Sequence, residues 1–112
     1  MKRTIALAQI NTRLGDVSSN LEKHLQYIAE ARALQADLLI FPELSLTGYA
    51  LQDLVYTLSR RPTADDPIFG PLLKASKDLD LVVGFVDEDQ RHRFFIAGAY
   101  LSQGEVLHIH HK

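Results

Sequence analysis

The chain has 112 residues, of which 46% are apolar and 23% are charged, a composition typical of one small globular domain. The formal net charge of −2 gives no electrostatic basis for binding nucleic acid or an anionic membrane. The apolar runs are far too short to span a bilayer, and the run near the N-terminus is too short for a signal peptide, so we expect a cytoplasmic protein. The absence of cysteine excludes disulfides, thiolate metal sites and a thiol nucleophile from these residues.

The first part of the sequence predicts a strand, a helix and a second strand. Residues 4–10 are nearly all apolar, which predicts a strand buried on both faces. Ser19 as cap and Glu22 three residues later fit a capping box and predict a helix over 20–35. The apolar stripe of this helix comprises Leu21, Leu25, Ile28 and Ala29. The apolar run 38–41 predicts the second strand, parallel to the first, in a right-handed βαβ unit.

An acidic residue follows the second predicted strand directly. Pro42 cannot donate to a strand ladder and ends it, so Glu43 stands at the carboxyl end of that strand. Open α/β sheets place reacting groups at this edge. Apolar neighbours would partly desolvate the carboxylate and make it a better base near neutral pH. The alternative is that Glu43 caps the following turn and does no chemistry.

The middle of the chain predicts two further helices and a buried strand. A short helix is expected over 52–60, and a second one starts with Asp66 as cap and runs to about residue 80. Between them, Arg60 and Arg61 are candidates for binding a substrate carboxylate, although surface arginines are usually only solvated. The apolar run 81–86 predicts the third strand, in which Gly84 indicates close approach of another backbone segment.

The last part predicts an antiparallel hairpin formed by strands over 93–101 and 106–111. The acids at 87–89 permit a metal site, but a hydrated loop is the alternative, since Mg²⁺ or Ca²⁺ needs further oxygen ligands. His108, His110 and His111 invite a zinc hypothesis. Strand alternation places the first two on one face and the third on the other, which is too few for a structural zinc site.

Residues 41–49, FPELSLTGY, closely resemble the first signature of the carbon–nitrogen hydrolase (nitrilase) superfamily. Residues 8–11, with Gly15-Asp16 and Asn20, resemble the opening strand and turn of the same family. The family hydrolyses non-peptide C–N bonds with a Glu, a Lys and a Cys.

The resemblance implies a role for each of two residues. Glu43 matches the family's Glu and would be the general base towards the thiol. Lys112 follows the last predicted strand at the position of the family's Lys, where an ammonium favours the thiolate and stabilises the oxyanion. The alternative for Lys112 is an ordinary exposed lysine. Ile96 departs from the family, which usually has Asn at that position.

The resemblance also implies the fold and the extent of the domain. We expect an α/β protein that forms the N-terminal part of a four-layer αββα sandwich of the nitrilase type. Residues 1–112 would be an incomplete N-terminal portion of a single carbon–nitrogen hydrolase domain, with the nucleophilic Cys in later sequence. The family's reaction needs no metal or organic cofactor, and its members commonly form homo-oligomers, which we also expect here.

The resemblance implies an enzyme that cleaves a small-molecule amide or nitrile. A likeness at Gly48, Tyr49, Asp53 and Leu54 to the glutaminase domains of NAD synthetases gives an alternative, in which the domain supplies ammonia. A second alternative is a non-catalytic nitrilase-like fragment or scaffold, because the 112 residues lack the nucleophile and would be inactive alone. Sheet edges in such a fragment would be prone to pair with another chain.

Overall fold

A computed structural model describes residues 2–48 and 59–112 of the chain. The helix predicted over 52–60 and the end of the resembling motif at Tyr49 lie outside these residues, apart from positions 59 and 60.

The described strands form one five-stranded mixed sheet with its strands in chain order. They are β1 (Ile5–Leu7), β2 (Leu38–Ile40), β3 (Asp80–Glu88), β4 (Phe94–Ser102) and β5 (Glu105–His111). Strands β1, β2 and β3 run parallel, whereas β3, β4 and β5 pair antiparallel. The predicted parallel pairing of the first two strands and the antiparallel hairpin at the end are therefore confirmed.

The first strand is shorter and less buried than predicted. It covers Ile5–Leu7 instead of 4–10, although the Ala8 N–H still donates to the Ile40 carbonyl at 2.9 Å. The side chains of Ile5 and Leu7 are 58% and 74% exposed, so the prediction of burial on both faces was wrong. The cause is that the helices among the described residues cover only the face to which Ala6 belongs.

Helix α1 (Val17–Ala33) begins and ends earlier than predicted. Its cap is Asp16, whose carboxylate accepts the backbone N–H of Ser19 at 3.2 Å and the Ser19 hydroxyl at 2.9 Å. These bonds, the side-chain one foremost, lower the pKa of Asp16. Ser19 is thus a hydrogen-bond donor inside the first turn and not the predicted cap. The cap is Asp16, because its carboxylate accepts the backbone N–H that has no partner within the helix. At the other end, Gln35 has a φ of +58°, which stops the helix before residue 35.

Helix α2 (Phe69–Ala75) is shorter than the predicted helix from Asp66 to residue 80. Asp66 does act on its N-terminus, because its carboxylate accepts the N–H groups of Ile68 and Phe69 at 2.9 and 2.8 Å. The helix ends at Ser76, whose hydroxyl donates to the Leu73 carbonyl at 2.7 Å. This local side-chain bond competes with continued helix formation.

Both helices pack on one face of the sheet, and the core lies between them and the strands. The members of this core with the least exposure are Ile28, Ala31, Leu39, Leu46, Phe69, Leu72, Leu79, Leu81, Val83, Phe85, Ala99 and Leu101. Alternate residues of β3, such as Val82, belong to the opposite face, which no described helix covers. The described residues therefore form an α/β unit of two layers, and the second face is the one that carries the candidate site.

Candidate active site

The two predicted site residues meet at the end of the sheet. The Lys112 Nζ lies 2.9 Å from the Glu43 Oε1, which is an ion pair. The Glu43 side chain is 34% exposed and that of Lys112 is 68% exposed, so both heads remain accessible from solution. Side chains far apart in sequence thus form one charged pair, as the resemblance implies.

The antiparallel hairpin places Lys112. The register pairs His111 with Ala97, and the Lys112 N–H then donates to the Ile96 carbonyl at 2.8 Å. This bond extends the ladder by one residue beyond β5 (Glu105–His111) and fixes the backbone from which the lysine projects.

The loop that carries Glu43 is a tight turn against β3. Leu44 has a φ of +52°, and the Gly48 N–H donates to the Leu44 carbonyl at 2.8 Å. The Leu46 N–H donates to the Gly84 carbonyl at 3.0 Å, which joins the loop to the sheet. A Cβ at Gly84 would lie 2.3 Å from the Leu44 nitrogen, so the predicted close backbone approach at this glycine is confirmed.

A buried polar network supports the same loop from the side of helix α1. The Asn20 amide donates to the Leu46 carbonyl at 2.9 Å and to the Arg13 carbonyl at 2.8 Å. His24 contacts the Ser45 hydroxyl at 2.9 Å and the Asn20 carbonyl at 2.6 Å, and its ring stacks on Phe41 at 4.1 Å. Burial lowers the pKa of His24 to about 4, because the charged imidazolium would lose its water. His24 is therefore neutral at physiological pH.

Sequence reasoning missed His24 and Ser45, and it took Asn20 for part of the helix start. The buried side of α1 comprises Val17, Asn20, His24, Ile28 and Ala31. This set includes two polar residues, whereas the predicted stripe used apolar ones, of which Leu21 and Leu25 are only partly buried and Ala29 is exposed. The spacing of Asn20, His24 and Ile28 at four residues was the available signal.

A cavity of about 230 Å³ opens beside the ion pair. Its lining comprises Phe41, Pro42, Glu43, Val82, Val83, Gly84, Ile96, Ala97, Gly98, His110 and Lys112. Most of this wall is apolar, and Ile96 replaces the amide that the resembling family usually has there. A small organic molecule could therefore contact the two charges against a largely apolar floor.

The three acids singled out at 87–89 contact basic side chains. Asp87 contacts His111 and Asp89 contacts Arg93, each at 2.7 Å. Bonds from Arg93, its backbone N–H foremost, lower the pKa of Asp89. Glu88 similarly contacts His92 at 2.7 Å, so the acids at 87–89 each have a basic partner, an arrangement that the sequence did not reveal.

Arg60 lies in a different part of the structure from the histidines of β5. Arg60 pairs with Asp66 at 3.1 Å, away from the cavity beside Glu43. His108 and His110 share one face of β5 and His111 lies on the other, as alternation predicts. Over residues 2–48 and 59–112, no group of three or more His, Asp or Glu side chains is arranged to hold a metal ion. No helix in the same ranges is long and apolar enough to cross a membrane.

A family model for the carbon–nitrogen hydrolases matches residues 4–112. The match extends over nearly the whole chain and includes both Glu43 and Lys112. The chain therefore belongs to the carbon–nitrogen hydrolase family, as the motif at residues 41–49 indicates.

Similar proteins give the comparison more detail. The chain is 34% identical over 110 residues to a glutamine-dependent NAD(+) synthetase of Acinetobacter baylyi, covering 96% of the chain and 20% of that protein. It is 35% identical over 115 residues to the synthetase of the same name from Thermotoga maritima, covering 100% of the chain and 19% of that protein. The chain thus spans about a fifth of the length of these relatives.

Solved structures of two kinds share the fold. The glutamine-dependent NAD+ synthetase of Acinetobacter baumannii has a TM-score of 0.78 at 30% identity, covering 96% of this chain and 20% of that one. An amidase from Nesterenkonia sp. has a TM-score of 0.83 at 26% identity, covering 98% of this chain and 42% of that one. The fold is therefore common to synthetase domains and to shorter amidases.

Proposed function

We propose that the chain is the first part of a glutaminase domain that hydrolyses the side-chain amide of glutamine and supplies ammonia within a glutamine-dependent NAD synthetase. The ion pair of Glu43 and Lys112 beside the cavity carries the hydrolytic part of this proposal. The identities of 34% and 35% to synthetases over almost the whole chain support glutamine as the amide.

The chemistry follows from the charges of the pair. A thiol must come from a cysteine outside these residues, because the 112 positions contain none. Glu43 accepts the thiol proton, and the thiolate attacks the amide carbon. Lys112 stabilises the oxyanion of the tetrahedral intermediate. The C–N bond then breaks as Glu43 returns this proton to the nitrogen, which leaves as ammonia, and water hydrolyses the thioester to the acid and the free thiol.

The exposed face of the sheet supports the larger fold that this proposal requires. Ile5, Leu7 and Ile96 are 58%, 74% and 38% exposed on it, and exposed apolar side chains on one face of a sheet favour burial against another layer. We propose that a second sheet from later sequence covers this face and completes a four-layer αββα sandwich. The cavity beside Glu43 would then become enclosed.

A free-standing amidase or nitrilase acting on another small amide or nitrile is the second candidate. The TM-score of 0.83 to the Nesterenkonia amidase favours it. The two candidates share the hydrolytic step, and they differ in the substrate and in whether a synthetase domain is joined to the hydrolase domain.

The test is an ammonia-release assay on the longer protein that continues beyond Lys112. Glutamine, asparagine, ω-amides, carbamoyl amines and simple nitriles are the substrates to compare, and we expect glutamine to give the highest kcat/KM. Replacing the base by an amide, Glu43→Gln, should abolish turnover while the fold persists. The matched control is Glu105→Gln, an exposed acid at the opposite end of β5, which should keep normal turnover.

Normal turnover by Glu43→Gln would contradict the general-base role. Preference for another amide would favour the second candidate. Failure of the unaltered protein to hydrolyse any of these substrates would overturn the hydrolytic proposal and favour a scaffold.

A further inference from the structure

Ser45 is the centre of a buried hydrogen-bond chain two residues beyond Glu43. Its side chain is fully buried, and its hydroxyl lies 2.9 Å from the His24 Nε2 and 3.0 Å from the Gly84 nitrogen. The chain thereby links helix α1, the loop and strand β3. A buried hydroxyl with two partners on different elements restrains the backbone that carries it.

The direction of each hydrogen bond follows from the partners. The Asn20 carbonyl can only accept, so the His24 Nδ1 donates to it at 2.6 Å. The neutral imidazole has one N–H, which leaves the Nε2 as an acceptor for the Ser45 hydroxyl proton. The Ser45 oxygen in turn accepts the Gly84 N–H.

This arrangement bears on Glu43 because it anchors the loop backbone from which that side chain projects. The Glu43 side chain is 34% exposed, and its orientation depends on this backbone as well as on the ion pair with Lys112. The loop is held by the Leu46 N–H on the Gly84 carbonyl and by the Asn20 amide on the Leu46 carbonyl. His24 and Ser45 complete these anchors from inside the protein.

We propose that His24 and Ser45 are positioning residues that hold the Glu43 carboxylate in its orientation towards Lys112. The proposal rests on the proposed function of Glu43 as general base. Neither residue contacts the substrate. A carboxylate held by a rigid loop needs no reorganisation when the thiol proton arrives, and a misplacement of about 1 Å can cost about a hundredfold in rate.

The decisive comparison is between two buried serines in the full-length protein. Ser76 is also fully buried and also accepts a glycine N–H at 3.0 Å, from Gly104, but it lies at the C-terminal end of helix α2, against the turn between β4 and β5. Ser45→Ala and Ser76→Ala should therefore lose similar stability, measured as Tm. We expect Ser45→Ala alone to lower kcat for glutamine, by about ten- to a hundredfold, with KM within about twofold.

A double variant tests whether His24 and Ser45 act through the same set of contacts. His24→Phe keeps a ring against Phe41 but loses both hydrogen bonds. The losses in kcat should be non-additive, so that His24→Phe/Ser45→Ala is little slower than the slower single variant. Losses that multiply, or a kcat of Ser45→Ala equal to that of Ser76→Ala, would overturn the proposal.

Two NMR readouts keep the inference separate from the proposed function. In unaltered protein with ¹⁵N-labelled histidine, the His24 signals should show the proton on Nδ1, and a proton on Nε2 would overturn the hydrogen-bond chain without any assay. The Glu43 carboxyl ¹³C shift should move in Ser45→Ala and stay in place in Ser76→Ala. If no amide were hydrolysed, the proposed function would fail, whereas an unmoved Glu43 signal in Ser45→Ala would overturn the positioning role.

Discussion

The two faces of the sheet have opposite characters although the same strands form them. On the helix side, Leu81, Val83 and Phe85 of β3 are fully buried. On the other side, Leu7 of β1 is 74% exposed, and the cavity beside the Glu43–Lys112 pair opens on that face. Alternation along a strand sends successive residues to opposite faces, so one short stretch can serve both.

The two faces of the sheet therefore have different roles: the helix side stabilises the fold, and the open face carries the groups proposed to react. Buried apolar side chains on the helix side supply most of the free energy of folding. The open face contributes less to folding, and its exposed charges remain available to a substrate. Substitutions on the two faces should therefore change different measured quantities.

The largest expected effect is on the helix side. Phe85 is fully buried and meets Phe69 edge to face at 4.9 Å between ring centres. Phe85→Ala should lower the free energy of unfolding by about 3–5 kcal/mol, because it removes a large apolar side chain and leaves a cavity. Urea denaturation of the 112-residue chain, followed by circular dichroism, measures this loss.

The matched variant on the open face is Leu7→Ala. We expect a change within about 0.5 kcal/mol, since this side chain is already mostly in water. Equal losses for the two variants would remove the distinction between the faces. In a longer protein whose second sheet covers the open face, Leu7→Ala should become clearly more costly.

A smaller effect is expected from two glycines that face each other across β3 and β4. Gly84 and Gly98 are paired in the register. A Cβ at Gly84 would lie 2.3 Å from the Leu44 nitrogen, whereas one at Gly98 would meet nothing nearer than the Val83 oxygen at 4.0 Å. Gly84→Ala should therefore cost about 2 kcal/mol or more and shift the Glu43 loop.

Gly98→Ala is the control for the glycine pair. It should be neutral or stabilise the fold by about 0.5 kcal/mol, because alanine restricts the unfolded chain. Thermal unfolding of both variants checks the difference. A Gly84→Ala variant as stable as Gly98→Ala would show that the loop does not press on β3.

The sequence predicts the strands of the sheet better than it predicts the contacts that hold the site in place. Runs of β-branched and apolar residues identified the hairpin strands to within one residue and β3 to within two, because strand patterns of this length are strong signals. Caps and helix ends were less predictable. Asp16, and not the expected Ser19, caps helix α1. A capping-box pattern identifies residues that are able to cap a helix, but it does not decide between neighbouring candidates.

The sequence predicted only those residues of the candidate site that the family resemblance identifies. Glu43 and Lys112 came from the family resemblance, and their contact at 2.9 Å required the register of the hairpin. His24 and Ser45 carry no motif of their own. Their connection depends on how helix α1 lies against the loop, and tertiary packing of that kind leaves only a weak periodic trace in the sequence.

The smallest expected change in stability comes from the charged pair itself. The Lys112 side chain is 68% exposed, and exposed ion pairs contribute about 0–1 kcal/mol. Lys112→Met should therefore change the free energy of unfolding by less than about 1 kcal/mol, as should the control Lys74→Met on helix α2. In the ammonia-release assay of the longer protein, Lys112→Met should lower kcat by a hundredfold or more, because the oxyanion loses its cation, whereas Lys74→Met should not. If Lys112→Met were stable and its kcat unchanged, Lys112 would have no catalytic role. Catalysis by this residue would then no longer distinguish the open face from the helix side.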